Sequence, residues 1–316
     1  MNKTYLITLS PTGKFFFGGD MTFTVNNKEN DFTSYIIHSS KFPQQTSLLG
    51  MLRFLILRND SKAFDKASQR ITNSDEAEKL IGKKSFEASG QKTSYGMIKS
   101  LSPCFIQTKT ETGWTNLTII PNDKHYKVDF SQTTQAVLNG ICVDIPQTDY
   151  DPKEYHETAY ELNGCVKPFK ISEIFKEDIS NGINRDIHTG KTDDNALFKQ
   201  VSWRLNEGFR FAFYAEVDMD NFTDYTGQIV SIGADNSLFV IGIKEVTSPS
   251  TTDKQGRRVV LESPAFLFKE DLENVRFAVT ETIPFRCMKT ETKDVGPYNK
   301  RHQELGYSAR ISLYAT

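Results

Sequence analysis

Cysteine and tryptophan are scarce in this chain, and no apolar run is long. Its 316 residues include 4 cysteines and 2 tryptophans. Cys104, Cys142, Cys165 and Cys287 form no Cys-x-x-Cys pair and have no histidine at ligand spacing. That argues against a zinc site and for buried thiols in a reducing compartment. The longest apolar stretch, Leu48 to Leu57, is interrupted by Gly50 and Arg53 and falls short of the ~20 residues a membrane span needs. The opening MNKTYLITLSPTGKFFFGG has neither the continuous apolar centre nor the small-residue cleavage site of a signal peptide, so a cytoplasmic location is expected. Excess charge is missing as well: 38 basic against 40 acidic residues leave a net charge of −2. This speaks against a free-standing nucleic-acid binder held by a bulk positive field, while a local basic groove within an assembly stays compatible.

Catalytic signatures are equally thin. HTGKT at 188–192 suggests a phosphate loop, but GxxxxGK[ST] needs glycine at 185, where the chain has Arg185. There is no G-x-S-x-G elbow, H-E-x-x-H helix or G-x-G-x-x-G turn. None of His38, His125, His156, His188 and His302 lies four residues from another. The acidic pairs Asp193-Asp194 and Asp149-x-Asp151 read as solvated loops rather than metal ligands. The expectation is no catalytic residue, no metal and no cofactor.

What is present is an ordinary globular composition, 25% charged and 38% hydrophobic, on a chain long enough for about two domains. Residues 3–9 alternate as a first strand, ended by Pro11 and Gly13. Residues 47–58 are apolar on nearly every face and predict a helix buried in the core. Thr46, Gly50 and Arg53 nevertheless share one stripe of it that something could approach closely. From 59 to about 166 the pattern weakens, with polar stretches at 72–79 and 83–94 between strand candidates at 101–107, 114–120 and 136–145. A short helix at 171–177 and a strand and turn at 182–191 follow. The clearest strand is 208–218, where Phe209, Phe211, Phe213, Ala215 and Val217 alternate with polar residues. A strand at 237–246 follows the turn 233–236; 247–258 reads as a linker or mobile loop, and 306–316 as a last strand. The pattern predicts an α+β fold with antiparallel sheets, of ferredoxin-like type.

Three segments suit contact with a single-stranded RNA backbone. Lys14 precedes Phe15-Phe16-Phe17 and the pair Gly18-Gly19, so a close-passing loop with N–H donors and aromatic rings is one reading. Continuation of the phenylalanines into the core is the other. Ser39, Ser40, Lys41, Gln44, Gln45, Thr46 and Ser47 stand just ahead of the helix, whose amino end attracts phosphate; plain capping by Thr46 or Ser47 is the competing reading. Arg53, inside an apolar helix, requires an acidic partner or a phosphate, because burying it unpaired costs several kcal/mol, on the order of a broken buried ion pair.

The order P-x-G-x-F-F-F-G-G-D, SSKFPQQTSLLGMLR, GINRDIHTGKTDDNALF and IGADNSLFVIG resembles the RAMP proteins of type III CRISPR effector complexes. Within them it is most like the third subunit of the Cmr-type complex, and next most like the equivalent Csm-type subunit. The resemblance spreads over most of 1–246 and is weak in 59–166 and after 250. It implies two ferredoxin-like units: the first within 1–247, its core from 1–58 and 167–247 with 59–166 inserted, and a second whose C-terminal part is 248–316, completed by part of the insertion. It further implies a non-catalytic subunit that caps the 5′ repeat-derived handle of the guide RNA and touches the large polymerase-like subunit and the first backbone subunit. The implied RNA contacts are Lys14, Gly18, Gly19, Ser39, Ser40, Gln44, Gln45, Thr46, Ser47 and Arg53, together with Arg185, His188 and Lys191 at the tip of a hairpin. The turn Gly233-Ala234-Asp235-Asn236 is left out, since an aspartate repels phosphate. No strong helix precedes that turn, so the second helix of the first unit is short, absent or supplied from elsewhere. Two other readings within the superfamily are a metal-free endoribonuclease using His38 with Tyr35, and a backbone subunit that slices target RNA with Asp20 or Asp31 and a divalent metal.

Overall fold

The computed structural model describes residues 3–19, 21–26, 31–83, 94–120, 127–138, 141–149, 151, 153, 157–162, 167–185, 188–233, 235, 237–247, 263, 286–293 and 300–307. It is a strand-rich α+β protein with few helices. The chain divides into two compact units, the first made of 1–83, 94–118 and 161–253, the second of 84–93, 119–160 and 254–316.

The first unit is organised around a seven-stranded sheet. Its clearest sequence pattern, Phe209–Val217, becomes a central strand because alternation sends Phe211, Phe213, Ala215 and Val217 to one face, where all are buried. The first strand, Lys3–Pro11, pairs antiparallel with it on one side and with Leu238–Val246 on the other. Ile229–Ser231 closes one edge. On the other side Phe105–Thr110 and Ile98–Leu101 both pair with the central strand, and Gly113–Asn116 follows outside Phe105–Thr110. Residues 98–116, which fall inside the expected insertion, are therefore strands of the main sheet. Tyr5, Ile7 and Leu9 share the buried face with Phe239 and Ile241.

Helix α1 (Gln45–Arg58) supplies the other half of this core through Leu48, Leu52, Leu55 and Ile56, all fully buried. Its burial is one-sided, since Gly50 and Phe54 are exposed. Helix α2 (Ser74–Ile81) packs on α1 and corrects the reading of 72–79 as a polar spacer. Asn73 caps it by accepting from Asp75 N and Glu76 N, acidic residues fill its first turn, and Gly82 ends it with φ +73°. The expected helix at 171–177 is one turn, Ile171–Ile174, after which the chain is strand. Only a 3₁₀ turn, Phe222–Tyr225, lies between the central strand and Ile229.

A four-stranded sheet also belongs to this unit. A long hairpin, with outer arm Phe175–Arg185 and inner arm Thr192–Leu205, lies beside the hairpin Met21–Asn26 and Asp31–His38. The two inner strands run parallel, Leu197–Val201 against Ser34–His38, which departs from the expectation of wholly antiparallel sheets. Because they are parallel, the closing pairs of the two hairpins, Asn26 with Asp31 and Arg185 with Thr192, lie at the same end of the sheet.

In the second unit, the strand read at 136–145 is two strands, Val128–Leu138 and Ile141–Thr148, folded into an antiparallel hairpin. A further hairpin pairs Arg286–Lys293 with Lys300–Tyr307. Most of the linker at 247–258 and of the strand expected at 306–316 lies outside the described residues. Among the described residues no helix is long and apolar enough to cross a membrane, and no group of three or more metal-ligating side chains gathers. The Cys104 thiol is free, and burial pushes its pKa well above the ordinary thiol value.

Candidate nucleic-acid interface

The loop 14–19 and the segment 39–47 meet because main-chain pairing at the end of the four-stranded sheet hands over from one to the other. Ser39 N donates to Val201 O at 2.9 Å, and two residues on, Phe15 and Trp203 exchange N–H···O bonds of 2.8 and 3.1 Å. Phe15 is buried and meets the rings of Phe211, Phe239 and Phe17. Phe16 is buried as well, and its N–H donates to Ser237 Oγ at 2.8 Å. Phe15 and Phe16 thus anchor the loop in the core, and Phe17, half-buried, stacks on the Phe239 ring.

This anchoring holds the glycine pair over the segment 39–47. Gly18 has φ +80°, a conformation open to glycine, and its carbonyl accepts from Ser40 N at 2.7 Å. Gly19 packs so closely on the His38 carbonyl that a Cβ would collide with it. Ser39 is buried; its Oγ accepts from Phe17 N and donates to Ser40 O, both at 2.9 Å. The Ser39 side chain therefore serves the fold, and its carbonyl is taken by Trp203 Nε1 at 2.7 Å. Ser40 is exposed. Lys41 lies with Nζ 4.3 Å from the centre of the Trp203 ring.

Neither Thr46 nor Ser47 caps α1. The cap position is Gln44, with extended backbone and no side-chain cap bond; Gln45, Thr46 and Ser47 form a first turn that contains no acidic residue. Ser47 N donates to Gln44 O at 2.9 Å; the first N–H groups of a helix, here those of Gln45 and Thr46, have no partner within it, so this end carries positive potential. Gln44 to Ser47 are all half-buried.

Arg53 lies eight residues further along α1, about 12 Å from Gln45 along the helix axis. Among the described residues its hydrogen-bond partner is a main-chain carbonyl rather than an acid. One guanidinium nitrogen donates to Gly82 O at 3.1 Å, the carbonyl at the C-cap of α2, where the helix dipole favours a cation. Its Nε is buried with no partner among the described residues. Burial holds its pKa below the ordinary guanidinium value, with Tyr95 acting in the opposite sense. The expected approach to the Thr46–Gly50–Arg53 stripe is thus met in part by the end of α2.

Lys14 reaches the outer arm of the long hairpin. Its Nζ donates to Ser180 Oγ at 2.6 Å and lies 3.5 Å from Asp178. Arg204 Nε reaches the same carboxylate at 2.7 Å, and these cations, Arg204 first, hold Asp178 below the usual carboxylate range. Ser180, Asp178, Trp203 and Ser237 thus stand at the candidate site without having been singled out in the sequence; alternation in 175–205 was the available signal for the first three, and nothing local marks Ser237. Arg185 pairs with Thr192, which closes the hairpin there, as expected; His188 and Lys191, between the two, are exposed, and Gly190 has φ +67°. The tip is five residues beyond Ser180, roughly 17 Å along the strand, so the structure groups 14–19 with 39–47 and sets the hairpin tip apart.

His38 and Tyr35 are three residues apart in a strand whose register is regular from Ser34 to His38, so they occupy opposite faces. They do not converge on one substrate position. Asp20, and the side chain of Asp31, lie outside the described residues.

Comparison with known proteins places this strand-rich α+β chain in a family. The family described as CRISPR-associated protein (Cas_Cmr3) matches residues 145–304, just over half of the chain. The chain belongs to this family. The match includes the long hairpin and the strands to 246, and continues past 250, where the sequence resemblance was weak; the segments 14–19 and 39–58 precede it. It favours the Cmr-type assignment over the Csm-type. The chain is also similar to a chain in the cryo-EM structure of the Type III-B Cmr-beta bound to cognate target RNA. There the identity is 14% and the TM-score 0.46, over 98% of this chain and 85% of the other. For a chain in state 1 of that assembly bound to cognate target RNA and AMPPnP, the identity is 14% and the TM-score 0.39, over 78% of this chain. The chain spans 64% of the length of that second match. No curated protein matches it.

Proposed function

We propose that this chain is a non-catalytic subunit of a type III-B CRISPR RNA-guided effector complex, working in the cytoplasm as part of a ribonucleoprotein. It caps the 5′ repeat-derived handle of the guide RNA and docks the large polymerase-like subunit and the first backbone subunit. Family membership supports the assembly. The observation that carries the RNA role is the meeting of the Gly18–Gly19 loop and the 39–47 segment at the uncapped, acid-free amino end of α1. Main-chain N–H groups and helix potential there offer a place for phosphate without reacting groups. Lys14, Gly18, Gly19, Ser40, Gln44, Gln45, Thr46 and Ser47 form the central contact, with Arg185, His188 and Lys191 as a second contact at the hairpin tip.

The first unit reads as ferredoxin-like. Leu238–Val246, Lys3–Pro11, Phe209–Val217 and Phe105–Thr110 are neighbours in that order, all antiparallel, which is the order 4-1-3-2 of a split βαβ arrangement. α1 is its first helix, and the 3₁₀ turn 222–225 stands where the second is expected. The second unit, from 248–316 with part of 84–160, is the second ferredoxin-like unit in this reading.

Affinity purification of the tagged chain from its own cells tests the proposal. The expected result is one copy of the chain with RNA of constant 5′ end and a large polymerase-like protein. Recovery without RNA, or cleavage of repeat RNA by the isolated chain that His38→Ala abolishes, overturns it in favour of the endoribonuclease.

A further inference from the structure

Tyr35 and Phe198 are register partners on the two parallel inner strands of the four-stranded sheet. Their rings are 5.6 Å apart and within 12° of parallel. Both are half-buried and keep surface in solvent. Gly182 lies opposite Phe198 on the outer arm, and a Cβ there would collide with the Phe198 ring. The ring therefore rests over the backbone of the outer arm, in space that only glycine leaves open.

The next register pair on the same face is Ser180 with Gln200. Lys14 Nζ donates to that Ser180 at 2.6 Å. A cation tied to the glycine loop is thus held two residues, about 7 Å along the strand, from a pair of parallel rings. Around it on this face are Lys176, Arg204, Asp178 and Gln200; Gln200 donates to the Asp235 carboxylate. Three cations against two carboxylates favour a polyanion over an acidic or purely apolar partner. A ring platform beside a cation is the arrangement that holds unpaired nucleotides by stacking and charge, whatever the base.

The geometry points to the Tyr35–Phe198 pair as a stacking site for one unpaired nucleobase of the guide RNA handle, with Lys14 taking the adjoining phosphate. This rests on the RNA-capping reading above and gives it a specific base contact. It also gives Tyr35 a role that needs no chemistry at His38.

The test uses the full chain and synthetic single-stranded handle RNA carrying one 2-aminopurine, placed at each position in turn. Wild-type protein is expected to quench the fluorescence at one position, or two adjacent ones. Phe198→Leu and Tyr35→Leu are expected to lose that quench and bind at least about fivefold more weakly, the lower end of what one base stack contributes. Tyr35→Phe retains it. Gly182→Ala, which displaces the ring without removing it, loses the quench as well. If the RNA binds tightly but no position is quenched and Phe198→Leu binds as wild type, the stacking site is wrong and the capping role stands. If Phe198→Leu keeps RNA in the assembled complex but sheds a protein subunit, the occupant is protein and the stacking site is likewise wrong. If neither the chain nor the complex holds the handle RNA, both readings fall. The wild-type quench scan needs no variant, so a misfolded substitution does not obscure the answer.

Discussion

In the seven-stranded sheet Phe211, Phe213 and Phe239 are fully buried, whereas in the four-stranded sheet Ile179 and Ile183 of the long hairpin are 49% and 50% exposed. Both sheets obey the same two-residue period. The first has a helix against one face, so alternation becomes burial and stability. The outer arm of the hairpin has no such cover at Ile179 and Ile183, and its shape rests on the backbone ladder and on a few cross-strand pairs such as Arg204–Asp178. The lesson is a division of labour: one sheet supplies a rigid base, and the other carries its polar groups and rings where a ligand can reach them.

The sharpest way to break this comparison is to hollow the base. Phe211 meets Phe15, Phe17, Phe42 and Phe175, and it is the ring on which the glycine loop and the hairpin root both rest. Phe211→Ala is expected to cost about 3–5 kcal/mol by cavity formation, measured by denaturant unfolding, with RNA binding lost together with the fold. A loss below ~1 kcal/mol would mean that the base does not depend on this cluster.

Gly19→Ala comes next. Its methyl group would meet the His38 carbonyl, which is main chain and cannot swing aside, so an overpacking loss of about 1–3 kcal/mol is expected, with weakened RNA retention because the loop must move. Arg53→Ala ranks below it. It leaves the Gly82 carbonyl without its donor and is expected to lower stability by about 1 kcal/mol. Arg53→Met, which fills the space without a buried charge, should recover most of that. If Arg53→Ala instead releases RNA and leaves the melting temperature unchanged, Arg53 belongs to the interface after all.

Much of the base was legible in the sequence, because strands at 3–11, 209–217 and 238–246 and the helix at 45–58 combine strong periodicity with dense burial. α2 was missed because its apolar content is only Ala77, Leu80 and Ile81; its caps, Asn73 and Gly82, were the signal. The site was legible only as separate segments. That loop 14–19 meets 39–47 follows from the Phe15–Trp203 bridge, a pairing between residues 188 positions apart that no local pattern encodes. Arg53 shows the same limit: a buried guanidinium needs a partner, and the one it has here is a helix-terminal carbonyl, Gly82 O, from a segment whose helix the sequence pattern did not mark.

A smaller effect separates the hairpin from its base by pH. Asp178 is held below the ordinary carboxylate value by Arg204 and Lys14, so its contribution is present above the unfolded-state pKa and is lost as pH falls through the lower folded value. Protection of the hairpin-arm amides, taken relative to the intrinsic exchange rate at each pH, should therefore fall on acidification below about pH 4, while the central strand stays protected. Asp178→Asn is expected to remove that dependence for less than ~1 kcal/mol, since the pair is partly solvated.

At the hairpin tip the expected change in stability vanishes, and that makes it the cleanest probe of function. Lys191 and His188 are exposed on a turn closed by the Arg185–Thr192 pair, so Arg185→Ala with Lys191→Ala should leave unfolding within about 0.5 kcal/mol of wild type. If both cations meet phosphates, guide-RNA retention in the assembled complex weakens and its salt dependence flattens. Each single-strand phosphate contact contributes about 0.7 to the slope of log K against log salt, so losing two lowers it by about 1.4. An unchanged slope would show that the tip never meets the backbone of the RNA. The contact would then end at the root of the hairpin, where Lys14 and the glycine pair are already fixed to the base.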